Sequence, residues 1–183
     1  MQTEINNSLY TYDDYLKLDD ANQYELIGGK LILVPAPRTI HQKVTRKLIQ
    51  IIGTFIDRND LGELYGAPID VLLTNTDKPQ PDILFISKKR IDIITEKNIQ
   101  GAPDLIIEIL SPSTSSRDKV EKSRLYYNHG VKEYWIVDPD IKVIEVLSPG
   151  KEYWNIAGAY GMDDIVASPL LAGLEIPLKD IFL

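Results

Sequence analysis

At 183 residues and 44% hydrophobic content, the chain can bury a full core, and nothing in it requires more than one domain over residues 1–183. It has no cysteine and only two histidines, which excludes a disulfide framework and a thiolate zinc site and argues against an imidazole one; any metal should be hard and oxygen-bound. The formal net charge of −7 argues against indiscriminate nucleic-acid binding, so binding of that kind must rest on a local basic patch.

The stretch Met1 to Tyr10 is polar, carries Glu4 and lacks the basic and apolar regions of a signal peptide. No apolar run approaches membrane-spanning length, so a soluble, cytoplasmic protein without membrane contact is expected. Asp13 to Asp20 suggests a short helix, and Tyr24 to Val34 a hairpin turning at Gly28-Gly29 and ended by Pro35 and Pro37. From Thr39 to Arg58 the positions Ile40, Val44, Leu48, Ile51, Ile52 and Phe55 recur at helical spacing, predicting the longest helix. Its first half, with Arg38 just before it, carries Lys43, Arg46 and Lys47 and no acid, which makes it the candidate nucleic-acid-binding patch.

Strands are expected at Leu64 to Tyr65, Ile69 to Thr74 and Ile83 to Ile86, then in an apolar run ending at Leu110 and broken by Ser111-Pro112-Ser113-Thr114. Ser115 with Asp118 three residues later reads as the start of a helix that runs to His129 and stops at Gly130. Glu133 to Val137 and Lys142 to Leu147 form another strand pair, and the tail from Tyr153 alternates short strands with turns. The economical arrangement is an α/β (or α+β) fold with a central mixed sheet flanked by helices.

Two acids interrupt these greasy strands: Asp82 in Pro81-Asp82-Ile83-Leu84-Phe85, and Glu108 in Leu105-Ile106-Ile107-Glu108-Ile109-Leu110. A carboxylate there is costly unless a cation or strong donors compensate it. Asp104 shares a strand with Glu108 but stands four residues away, about 13 Å at the usual rise, too far to share an ion. Asp82, on a different strand, can lie beside Glu108 at the neighbour spacing of about 5 Å. Such a pair holding Mg²⁺, or Mn²⁺, is the hardware of phosphodiester hydrolysis. A lysine is then needed to orient water or stabilise charge on phosphorus. Position 110 is Leu, whereas Asp118, Lys122 and Tyr126 stand at intervals of four on one helix side, so Lys122 is the choice, with Arg117 and Lys119 projecting elsewhere.

Several runs together resemble a known family: Tyr24-Glu25-Leu26-Ile27-x-Gly29, Pro35-x-Pro37 with His41, Pro81-Asp82, Pro103 to Ser113, Asp118-x-x-x-Lys122-x-x-x-Tyr126, and Gly130-Val131-x-Glu133-Tyr134-Trp135-x-Val137-Asp138-Pro139. They look like the Uma-type family of putative restriction endonucleases in the PD-(D/E)XK nuclease superfamily, from Tyr12 to about Gly173. The resemblance implies a restriction-endonuclease-like core, Mg²⁺-dependent DNA cleavage and active-site acids at Asp82 and Glu108. The superfamily pattern would place a lysine at position 110, where this chain has Leu110; Lys122 fits a relocated lysine.

Plainer readings stand beside these. Glu108 and Lys122 could form a structural ion pair, Asp82 could cap a turn, and Lys122 could pair with Asp118 alone. Glu25 and Asp70 also interrupt apolar runs and could join the acidic cluster, although such residues more often face solvent on an edge strand. His41 reads first as a structural or capping histidine and second as a proton acceptor or phosphate contact. Tyr134-Trp135 and Tyr153-Trp154 read as packing residues. Cutting both strands of DNA would call for a homodimer or higher homo-oligomer, with the Tyr- and Trp-bearing C-terminal strands as candidate contacts. The rival reading is a catalytically degenerate nuclease fold that binds nucleic acid or protein. A second rival is a metal-dependent phosphoesterase for RNA or small phosphates.

Overall fold

The computed structural model describes residues 9–112 and 115–183. The reading of residues 1–8 and the strand-breaking step at Ser113 and Thr114 lie outside the described residues. No helix among the described residues is long and apolar enough to cross a membrane.

A six-stranded mixed sheet organises the chain. In chain order its strands are β3 (Gly62–Gly66), β5 (Ile83–Ser87), β7 (Leu105–Ile109), β8 (Glu133–Asp138), β9 (Val143–Pro149) and β10 (Trp154–Tyr160), and across the sheet they run β10-β9-β8-β7-β5-β3. Only β7 and β8 are parallel; the other neighbours are antiparallel. A parallel pair needs a crossover, and the helical stretch between β7 and β8 provides it. Two-stranded sheets stand apart from this one: the hairpin β1 (Tyr24–Ile27) with β2 (Lys30–Leu33), the pair β4 (Val71–Leu72) with β6 (Ile99–Gln100), and β11 (Ile165–Ala167) with β12 (Glu175–Pro177).

Alternation along the central strands creates two apolar layers, because successive side chains leave opposite faces of a sheet. Ile83, Phe85, Leu105, Ile107, Trp135 and Val137 face one way, against Val44, Leu48, Ile52 and Ile56 of helix α2 (Thr39–Asn59). Leu84, Ile86, Ile106, Tyr134 and Ile136 face the other way, against Tyr126 and Val131. The helical spacing in the sequence thus marks the α2 face that docks on the sheet. Glu108 belongs by parity to the second layer.

Most predicted elements are present, with differences that have local causes. Helix α1 spans only Tyr12–Tyr15: Thr11 and Asp14 close a capping box at its start, but Leu16 and Leu18 are exposed and find nothing to pack on. The strand expected at Ile69 to Thr74 shrinks to β4, because Thr74 turns back to bond Asp77 and Asp70 is held by Lys78. The tail ends in a helix, α5 (Leu178–Phe182), that the alternation of short strands did not suggest; Leu178, Ile181 and Phe182 insert into the α2 layer. Tyr134 and Trp135 are fully buried, consistent with packing roles, and Gly130 ends the crossover helix at φ +81°.

Ile52→Ala should lower unfolding free energy by about 2–5 kcal/mol, since it removes a fully buried contact between α2 and the sheet. Gln50→Ala, on the exposed side of the same helix, should stay within about 0.5 kcal/mol. Urea denaturation of both variants checks the assigned face.

Candidate functional site

The register of β5 on β7 decides where the two acids meet. Ile83 pairs with Ile107, so one step further out Asp82 stands across from Glu108. Residues directly opposite one another on neighbouring strands project from the same face.

Each acid is held by one oxygen. Asp82 Oδ2 accepts the Ile109 backbone N–H at 2.7 Å and contacts His41 Nε2 at 3.0 Å. Glu108 Oε1 accepts the Tyr126 hydroxyl at 2.7 Å and lies 2.6 Å from Lys122 Nζ. No described residue donates to Asp82 Oδ1 or Glu108 Oε2. His41 and Tyr126 therefore fix the orientation of the acids and leave one oxygen of each available.

The crossover between β7 and β8 is built from α3 (Ser115–Arg117), a single π-helical turn (Asp118–Lys122) and α4 (Ser123–Asn128). Widened turns of this kind are rare and recur at functional sites. This one carries Asp118 and Lys122, both only 3% exposed. Lys122 Nζ lies 2.6 Å from Glu108, 2.9 Å from Glu25 Oε1 and 3.6 Å from Asp118 Oδ1. Glu25 comes from β1, is 4% exposed, accepts the Gln80 backbone N–H at 2.9 Å and lies 3.5 Å from Arg117.

Burial pushes the Glu108 carboxyl well above its ordinary value; the Lys122 ammonium pulls it back, while Asp118, Asp82 and Glu25 push it further up. Burial works against a charged Lys122, but Glu108, then Glu25, Tyr126 and Asp118 outweigh it and hold the ammonium well above its usual range. Lys122 is thus the constant cation of the cluster, and Glu108 the acid that resists ionising.

These groups line a cavity of about 900 Å³ whose walls are the β1–β2 hairpin with Pro35 to Pro37, the start of α2, the Ala67-Pro68 loop, Ser111 and Pro112 after β7, and Arg117, Asp118 and Lys122 of the crossover. Asp82, Glu108 and Lys122 all border it, as do His41, Glu25 and Arg38. Glu25 does not face solvent on an edge strand as its type suggests; β1 pairs with β2 on one side and bridges Lys78 through Leu26, and Glu25 is buried at the cavity wall. Arg117 does not project elsewhere either, since it borders the cavity and pairs with Glu25. No spacing rule marked it, because the local winding changes at the π turn.

Other residues lie away from this centre. Lys43 Nζ donates to the Leu183 carbonyl at 2.7 Å, Arg46 is exposed, Lys47 is half-buried, and none of the three borders the cavity. Asp70 lies 3.0 Å from Lys78, a fully buried lysine that also sits over the Tyr15 ring at 3.7 Å, in a polar cluster of its own. Asp104 is tied to Ser87, Arg90 and Lys132, a structural knot remote from Glu108.

Among the described residues no group of three or more His, Cys, Asp and Glu side chains is arranged to hold a metal ion. The donor set that fits one is smaller: two acids, each with an available oxygen, in a cavity roomy enough for water and a phosphate. Mg²⁺ suits it, because this ion commonly binds through one or two carboxylates and keeps several waters. Charge agrees. Glu25, Asp82, Glu108 and Asp118 border the cavity beside Lys122 and Arg117, while Arg38 is paired outward with Asp140, so carboxyl groups outnumber the two inward cations.

A central mixed sheet of six strands flanked by helices is a nuclease-like architecture. The chain belongs to the Uma2 family, described as putative restriction endonuclease, whose pattern matches residues 12–179. The crystal structure of a putative nuclease belonging to DUF820 from Anabaena variabilis is similar, with 26% sequence identity, a TM-score of 0.78, and coverage of 94% of this chain and 97% of that one. No curated protein matches the chain.

A carboxyl whose pKa is higher in the folded than in the unfolded state supports folding fully below its unfolded value, and that support is lost progressively as pH rises through the folded value. Glu108 has this sign, starting from an ordinary value of 4.5. The stability of Glu108→Gln relative to wild type should therefore shift in the variant's favour as pH rises from about 4.5 toward neutrality. Urea midpoints in metal-free buffer across that range check the trend; a flat difference would contradict it.

Proposed function

We propose that the chain is a Mg²⁺-dependent endonuclease that hydrolyses DNA phosphodiesters, with Asp82 and Glu108 as metal ligands and Lys122 as the third catalytic group. The observation that carries the reading is the pair of available oxygens on Asp82 and Glu108, across adjacent strands and in one cavity with Lys122. The family description and the similarity to a putative nuclease support the same reaction class. Mg²⁺, or Mn²⁺ in its place, supplies Lewis-acid charge and an acidified water when bound.

The chain's own residues prepare the rest. The Ile109 N–H and His41 aim Asp82, and the Tyr126 hydroxyl aims Glu108, as donors around metal-binding side chains commonly do. The backbone carbonyl of Ile109 is a further candidate ligand. Lys122 stays protonated beside Glu108, ready to orient the attacking water and to offset charge gathering on the phosphoryl oxygens. It does from a helix what the superfamily does from position 110, where Leu110 is buried in the apolar layer. Arg38 and Arg117 at the cavity wall are suited to a neighbouring phosphate. Lys43, Arg46 and Lys47 extend positive charge along α2 for phosphates further along the strand, and cleavage of both strands calls for a homodimer acting in the cytoplasm.

With supercoiled plasmid and Mg²⁺, the wild type should nick DNA and EDTA should stop it. Asp82→Ala and Glu108→Ala should fall to background, and Lys122→Ala should lose roughly 10²–10³-fold. A degenerate binding module predicts that none of these substitutions changes its function, and a phosphoesterase for small phosphates predicts that Lys43→Glu and Lys47→Glu leave turnover unchanged.

A further inference from the structure

Glu25 has no part in the chemistry described above, yet it is the residue that ties the hairpin to the lysine. A lysine carried two residues beyond the glutamate on the same strand is placed by the strand itself. Lys122 instead reaches the site from a helical segment on the far side of the cavity, so its ammonium needs an anchor independent of Glu108. Glu25 Oε1 lies 2.9 Å from Lys122 Nζ, against 2.6 Å for Glu108, so the ammonium is shared between acids from two separate elements. Glu25 is in turn fixed by the Gln80 N–H, two residues before Asp82, and by Arg117, one residue before the π turn. One carboxylate thereby connects the hairpin, the approach to β5 and the lysine-bearing helix, and at 4% exposure it does so out of water.

Resting on the nuclease reading, we propose that Glu25 is a positioning residue for catalysis: by sharing the Lys122 ammonium with Glu108 it fixes where that ammonium sits in the cavity, so that the lysine faces the substrate phosphate. Glu25 acts through Lys122 and touches neither the metal nor the substrate. Its loss should therefore lower turnover without changing the strength of DNA binding, and should have no effect once Lys122 is gone.

The test is a double-mutant cycle on plasmid nicking with Mg²⁺, using Glu25→Gln, Lys122→Met and the pair. Glu25→Gln keeps the shape and the acceptor for the Gln80 N–H. Expected are a 10- to 100-fold fall in kcat with KM unchanged for Glu25→Gln, and the same rate for Lys122→Met and the double variant. Should Glu25→Gln not fold, Glu25→Asp, which keeps the charge but draws the oxygens back, is read by the same kcat and KM criteria. Active wild type with an equally active Glu25 variant overturns this inference and leaves the nuclease standing. Additive losses in the cycle, or a rise in KM alone, also overturn it. A wild type that cleaves no DNA with any divalent ion overturns both.

Discussion

Everything at the candidate site depends on the pairing of β5 with β7. Because Ile83 is opposite Ile107, Asp82 falls across from Glu108, and a slip of one residue would send one acid to the other face of the sheet. The apolar layers on both faces hold that register. Ile83, Phe85, Leu105 and Ile107 can bury themselves under α2 only if Leu84, Ile86 and Ile106 face the opposite layer. The hydrophobic core thus acts as the ruler that positions two carboxylates, and one of its members, Tyr126, also bonds Glu108.

Stability alone does not account for the charge collected above those strands. Glu25, Glu108, Asp118 and Lys122 are each less than 5% exposed, and buried ion pairs are often matched or improved upon by apolar residues of similar volume. Burial, with Asp118, Asp82 and Glu25 nearby, leaves Glu108 resisting ionisation despite Lys122, and the divalent cation proposed above would compensate it. Perturbed groups cluster at functional sites as well as in structural ion-pair networks, and here they line a cavity. The hydrogen bonds point the same way: Tyr126, His41 and the Ile109 N–H orient the two acids, while Asp82 Oδ1 and Glu108 Oε2 accept nothing from the described residues.

The sequence made the strands and the long helix readable and singled out the three residues proposed for the site, because each leaves a periodic signal or breaks one. Asp82 and Glu108 interrupt apolar runs, and Lys122 shares a helical side with Asp118 and Tyr126. Less was legible where the outcome depended on contacts between distant segments. Glu25 looked like an edge-strand acid, since nothing local shows that the hairpin folds over the cavity. Arg117 seemed misdirected because regular helical spacing does not foresee a π turn. Lys78 lies between two expected strands, and its burial against Asp70 and Tyr15 left no pattern in the sequence. His41 was read first as structural, and its contact with Asp82 arises only when α2 docks beside the end of β5. The family resemblance drawn from the motifs agrees with the match over residues 12–179.

The most direct test of the account is a crystal structure of the protein with Mn²⁺, read by its anomalous scattering. The account predicts one strong peak within coordination distance of both Asp82 and Glu108, and its absence in crystals of Glu108→Gln prepared in the same way. A peak bound elsewhere, or none beside these two acids at saturating Mn²⁺, would contradict it.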